Sequence, residues 1–243
     1  MFALYKKEIA SFLNTPVGYL VVLIFLLISS LLLWVFPTEY NILDFGYANL
    51  DSFFRLAPFV FLFLIPAISM RLFAEEKKSG TIELLFTRPL SDWQIIGAKY
   101  LAGISLVLLS LLPTLIYVFT VYRFSFPSGN IDLGPISGSY IGLFFLAAAF
   151  VAIGLFASAS TDNQITAFIL GISLSAFVFI GFEIIYSLDI FGHFDLFVQS
   201  LGINAHYASI RRGVIDLRDI LYFFSISALF LFFTHTILSK RKW

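Results

Sequence analysis

The chain has 243 residues, no cysteine, 15 Lys+Arg against 15 Asp+Glu, and a hydrophobic fraction of 60%. Charged residues make up 12%, against roughly 25% in a soluble domain, and one soluble core of this length cannot hide so much apolar surface. A water-soluble enzyme is excluded. A nucleic-acid partner lacks its basic patch, and disulfides, iron–sulfur clusters and thiolate zinc sites lack their ligand.

Phe2, Tyr5, Ile9, Phe12 and Leu13 recur at helical spacing, with Lys7, Ser11 and Asn14 opposite, and Pro16 stops the pattern. This predicts a short amphipathic helix lying in the bilayer interface. Six runs of about 20 mostly apolar residues follow, at 17–36, 53–73, 100–122, 140–160, 165–186 and 220–238. The first is too long for a cleaved leader and no small-residue cleavage site follows it, so it reads as a span. Pro58, Pro66 and Pro113 should kink their helices without ending them. Only residues 161–164 separate the fourth run from the fifth.

Basic residues orient the spans. Lys6, Lys7, Arg71, Lys77, Lys78, Arg88, Lys99, Lys240, Arg241 and Lys242 fall on one face, against Arg55, Arg123, Arg211, Arg212 and Arg218 on the other. The richer face is expected in the cytoplasm, with both termini.

The longest stretch on that face is 74–99. Ile82, Leu85 and Phe86 share one side of a short helix, with Gly80, Glu83 and Thr87 on the other. Pro89 ends it and pushes Arg88 out of the helical region. Ser91 with Gln94 three residues on predicts a capping box, and Trp93 stands where an interfacial anchor belongs. The apolar side of this helix needs a cover, either lipid or a soluble partner.

Small residues four apart (Ala148/Ala152, Gly154/Ser158, then Ala167/Gly171/Ser175) predict close packing of the fourth and fifth spans on each other. Glu183 is the acid well inside a span. A charge at mid-bilayer costs about 2.5–3.5 kcal/mol, so it should pair, with Arg55 as the partner, or face protein or water. Between residues 187 and 219, Phe191, Phe194, Val198 and Leu201 share a helical face, and a second short helix over 204–211 should close near Gly213. His193 and Asp195 lack the spacing and partners of a metal site. His206 carries no catalytic pattern, and His235 is expected to hydrogen-bond a neighbouring helix. An intramembrane enzyme would need paired acids within spans or His–Glu ligands on one helix, and neither occurs.

The six-run layout and the stretch E-E-K-K-S-G-T-I-E-L-L-F-T-R-P-L from Glu75 to Leu90 resemble permease subunits of ABC-2 type ATP-binding-cassette transporters. A closer resemblance is to the gliding-motility permeases of gliding Bacteroidota. It is carried by L-W-V-F-P-T-E-Y-N-I-L from Leu33, L-A-P-F and I-P-A-I-S-M-R between Leu56 and Arg71, G-N-I-D-L-G from Gly129 and R-G-V-I-D-L-R-D from Arg212. A related copper-enzyme maturation branch is the alternative.

The resemblance implies an all-α integral membrane fold of six transmembrane helices in one domain, in a bacterial inner membrane. It adds an N-terminal interfacial helix, a cytoplasmic coupling helix, and short re-entrant helices between the fifth and sixth spans. The ATPase-coupling residues would be Glu75, Glu76, Gly80, Thr81, Ile82, Glu83, Leu84, Leu85, Phe86, Arg88 and Pro89, with the turn at 159–164 on the same side. The implied partners are an ABC ATPase subunit, a second permease half (a copy of this chain or a related subunit), an accessory membrane protein and the lipid bilayer. No G-x-x-x-x-G-K-[ST] phosphate loop occurs, so this chain is expected to bind no cofactor itself, with ATP and Mg on the partner ATPase.

Overall fold

The computed structural model describes residues 1–44, 47–87, 89–127, 129–189 and 192–240, without the side chains of Val17 and His193. Arg88, Phe191, Arg241 and Lys242, singled out above, lie outside the described residues. All regular elements among the described residues are helical: α1 (Phe2–Leu13), α2 (Pro16–Trp34), α3 (Asp51–Ser69), α4 (Arg71–Lys78), α5 (Ile82–Phe86), α6 (Asp92–Leu111), α7 (Leu115–Phe124), α8 (Leu133–Ser160), α9 (Gln164–Ala176), α10 (Phe182–Ser187), α11 (Asp195–Ser200), α12 (Ile203–Arg211) and α13 (Leu217–Ser239).

Among the described residues, five stretches are long and apolar enough to cross a bilayer: Asp51–Lys78, Asp92–Phe124, Leu133–Ser160, Gln164–Ser187 and Leu217–Ser239. The pair α1 and α2, bent by 66°, makes a sixth if counted as one span. The narrow boundary at 161–164 is real: α8 stops at Ser160, and the Asn163 side chain accepts from the Ile165 N–H to start α9.

The helix α8 is the axis of the bundle. It carries no charged residue and is apolar all round, the pattern of a helix enclosed by others. Its apolar window is 78% buried, against 22% for α13, most of whose window the chain itself leaves uncovered. The small residues of α8 do bring helices close, but not only α9. A Cβ on Gly154 would meet the Ser69 hydroxyl of α3, and one on Gly171 of α9 would sit 3.1 Å from Pro66. The third helix α3 wedges against both, so the ridge read as a two-span contact serves three.

Prolines and breaks are repaired by side chains from other elements. Pro58 cannot donate to the Phe54 carbonyl, and the Tyr207 hydroxyl of α12 donates to it instead at 2.6 Å. At the break between α3 and α4, the Ser158 hydroxyl accepts from the Phe73 and Ala74 N–H groups at 3.0 and 3.1 Å. The same hydroxyl donates to the Met70 carbonyl at 2.8 Å. Pro113 falls in a short 3-10 turn (Leu112–Thr114) that joins α6 to α7, as its missing donor requires. A π turn over Phe177–Gly181 joins α9 to α10.

The first helix departs from its predicted face. Leu4, Glu8 and Phe12, four apart, are its buried row, while Phe2 is 67% exposed. Placement of α1 follows a charge, Glu8, rather than the apolar stripe alone.

Candidate functional site

The end of the bundle where α4 leads into α5 gathers most of the predicted site residues. Gly80 follows the last residues of α4 with φ +70, a conformation that an L side chain adopts only with strain, and it turns the chain into α5. The predicted capping box closes the far side: Gln94 N–H donates to Ser91 Oγ at 3.3 Å and Ser91 N–H to Gln94 Oε1 at 3.1 Å. A hairpin of two helical pieces therefore stands between two fixed starts.

Its orientation reverses the predicted one. Ile82 is only 7% exposed and packs with Leu4, Leu72, Phe73, Ile95 and Ile96, while Leu85 and Phe86 rest on the same cluster. The cover that this apolar face required is supplied by α1, α4 and α6 of the chain itself. What points outward is Gly80, Thr81, Glu83 and Leu84, with Leu84 65% exposed. Between α1 and α5 lies a groove of about 570 Å³, lined by Met1, Leu4, Lys7, Leu84, Leu85 and Pro89 among others.

Below the hairpin sits an ion network that the sequence reading missed. Lys99, fully buried in α6, places its Nζ 2.9 Å from Glu8 Oε1 of α1 and 2.8 Å from Glu76 Oε2 of α4. It also donates to the Leu72 carbonyl at 2.5 Å and lies 5.0 Å from the centre of the Phe73 ring. Lys7 closes the network, 2.6 Å from Glu76 Oε1 and 3.2 Å from Glu8 Oε1. Two lysines and two glutamates balance, as buried charges must. Glu76 is thus an internal strut and not an outward coupling residue, because Lys99 holds it. Glu75 stays at the surface, bound by Arg71 at 2.8 and 3.2 Å.

Partial burial disfavours the Lys7 ammonium, but the Glu76 hydrogen bond and the charges of Glu8 and Glu76 outweigh it and raise its pKa above 10.5. A raised lysine contributes stability in full below its unfolded pKa, and loses it only as pH climbs through the raised native value. The Lys7 contribution is therefore constant around neutrality. The turn after α8 belongs to the same end, since Lys77 donates to the Ala159 carbonyl.

The signals for Lys99 were faint but present: a lysine eight residues past the Ser91 cap, in a mostly apolar helix, and a Glu at the centre of the Leu4–Phe12 row. Trp93 and His235 were read separately. They stack at 4.7 Å, ring on ring, and the His235 Nε2 lies 3.5 Å from Ser239 of its own helix, so His235 serves α6 by stacking rather than by hydrogen bonding.

At the opposite end, Arg55 and Glu183 line one cavity of about 720 Å³ together with Glu39 and Arg211. They do not pair with each other. Arg55 binds Asp51 one turn before it at 2.8 Å, the nearer carboxylate on its own helix. Glu183 is exposed and accepts from the Asn204 side chain of α12. Arg211 approaches Asp51 at 3.5 Å.

No curated protein matches this sequence. The family model described as "ABC-2 family transporter protein" matches residues 2–239, from the start of α1 to the end of α13. With a multi-pass apolar bundle around α8, the chain belongs to that family and is a transmembrane permease of an ABC transporter, a subunit whose family works with an ABC ATPase.

Proposed function

We propose that this permease lies in a bacterial inner membrane with both termini in the cytoplasm. A separate ATPase subunit, which carries the ATP and Mg, docks against the outward side of the α4–α5 hairpin. The observation that carries the reading is the hairpin itself: an exposed apolar residue, Leu84, beside Glu83 and Thr81, on a helix whose other face is fixed in a core. An exposed leucine on a rigid seat suits the centre of a protein interface, with Glu83 and Lys78 as rim. The coupling set is accordingly Gly80, Thr81, Glu83, Leu84 and Pro89 outside. Ile82, Leu85, Phe86 and Glu76 act from beneath. The resemblance of its motifs to the gliding branch supports a role in gliding motility, with ATP turnover driving export or mechanical work. A second permease half and an accessory membrane protein complete it.

The natural absence of cysteine makes the topology testable. A cysteine at Ser79 should label only in opened membranes, and one at Asn130 in intact cells. The reverse pattern overturns the orientation. A photo-crosslinking residue at Leu84 should attach to an ABC ATPase, identified by its phosphate-loop peptide. Attachment to lipid alone overturns the docking.

A further inference from the structure

We propose that His206 and Asp219 form a proton-binding site that pins the short helices α11 and α12 to the start of α13, at the end of the bundle remote from α5. The ring of His206 is bonded on both sides. Nδ1 lies 2.7 Å from Asp219 Oδ1, and Nε2 lies 2.9 Å from the Ser200 carbonyl. A carbonyl only accepts, and an ionised carboxylate only accepts. A neutral imidazole has one N–H, so it cannot satisfy both contacts. The pair must hold one further proton, either as imidazolium facing carboxylate or as neutral imidazole receiving the proton of a carboxylic acid. Both arrangements count the same protons, and the titration belongs to the pair.

The surroundings fit a latch. The His206 ring stacks on Tyr222 at 3.9 Å, and the Tyr222 hydroxyl donates to the Leu201 carbonyl at 2.6 Å. Adjacent carbonyls at the end of α11 are therefore capped by one side chain from α12 and one from α13, and a cation is favoured at a helix C-terminus. The other Asp219 oxygen, Oδ2, is buried without a hydrogen bond, so little besides His206 offsets the burial of this carboxylate.

Among the described residues, the other charged or titratable groups on the packed elements are few. Asp216 and Arg218 lie at the start of α13, where Asp216 caps the Arg218 N–H. Asp195 lies on α11, and Glu183 on α10 is held by Asn204. Tyr207, Arg211 and Arg212 follow His206 itself, and Tyr207 is turned to the Phe54 carbonyl. In α8 the titratable residue is Tyr140, bonded to Thr114. None of these is placed on the His206 ring as Asp219 is.

Loss of the proton sets a nitrogen lone pair against either the Ser200 carbonyl or the Asp219 carboxylate. The end of α11 is then released. The side chain of His206 is 18% exposed, which gives water a route to it. The latch is closed with the proton bound and loosens as pH rises.

The test uses full-length permease in lipid nanodiscs. Nitrogen NMR of His206, in a His193→Gln/His235→Gln background, is combined with amide exchange over residues 201–206, corrected for intrinsic rates. Over an interval of rising pH, the pair should lose its extra proton. Over the same interval, exchange should rise by about tenfold, the equivalent of one charge-assisted hydrogen bond. His206→Phe keeps the stacking on Tyr222 and should exchange fast at every pH. Asp219→Asn, which removes the charge but not the acceptor, should also flatten the profile. Exchange independent of pH in the native protein, or a pH-dependent rise that survives in both variants, overturns the proposal.

Discussion

Replacing Lys99 by methionine should destabilise the fold by about 3–5 kcal/mol, the cost of leaving buried charges without their partner. Methionine fits the volume of the aliphatic stem, so packing against Phe73 is largely kept and the loss reports the charge. Glu8 and Glu76 would then face each other with only Lys7, whose side chain is 54% exposed, to balance them. Thermal unfolding in detergent measures the loss. Adding Glu8→Gln and Glu76→Gln to Lys99→Met should recover a large part of it, because the uncompensated carboxylates are gone. A Lys99→Met protein that melts with the native one, or a triple variant no better than the single, would show that the network carries no such weight. The same network joins α1, α4 and α6 under the hairpin, so the single variant should also loosen the seat of α5.

Leu84→Asp should sharply weaken the ATPase complex while leaving the permease folded. Burying a leucine at an interface contributes about 1.5–3 kcal/mol, roughly 10- to 100-fold in affinity, and an aspartate there adds a desolvation cost. Quantitative co-purification at fixed salt reads the effect. Leu85→Ala with Phe86→Ala should act differently: these side chains rest on the Leu4–Leu72–Phe73 cluster, so their truncation should lower the melting temperature first and ATPase binding only in consequence. Lys78→Glu, at the exposed rim, should change salt sensitivity and association rate more than final affinity. If Leu84→Asp binds the ATPase at full strength, the hairpin is not the docking surface.

The sequence by itself determined the features written over a few neighbouring residues. Apolar run length located the five later spans, Pro16 separated α1 from α2, Ser91 with Gln94 started α6, and the irregularity at Pro113 and the stop near Gly213 followed from a missing donor and a missing Cβ. The ABC-2 family was legible too, because its motifs are contiguous. Tertiary structure alone decided which way amphipathic pieces face. A five-residue helix such as α5 has apolar positions on one side and one leucine on the other, and nothing local says which will be covered by its own chain. Glu8 looked like an interruption in an interfacial stripe, and Lys99 like one more orienting charge. They are 91 residues apart, and only the packing of α1 on α6 makes each the reason for the other. Ser158, Tyr207 and His206 share that character: each completes a hydrogen bond left open by a proline, a helix break or a helix end elsewhere. In an interior without water every such group must be satisfied by the protein, so the identity of the partner is a property of the assembled bundle.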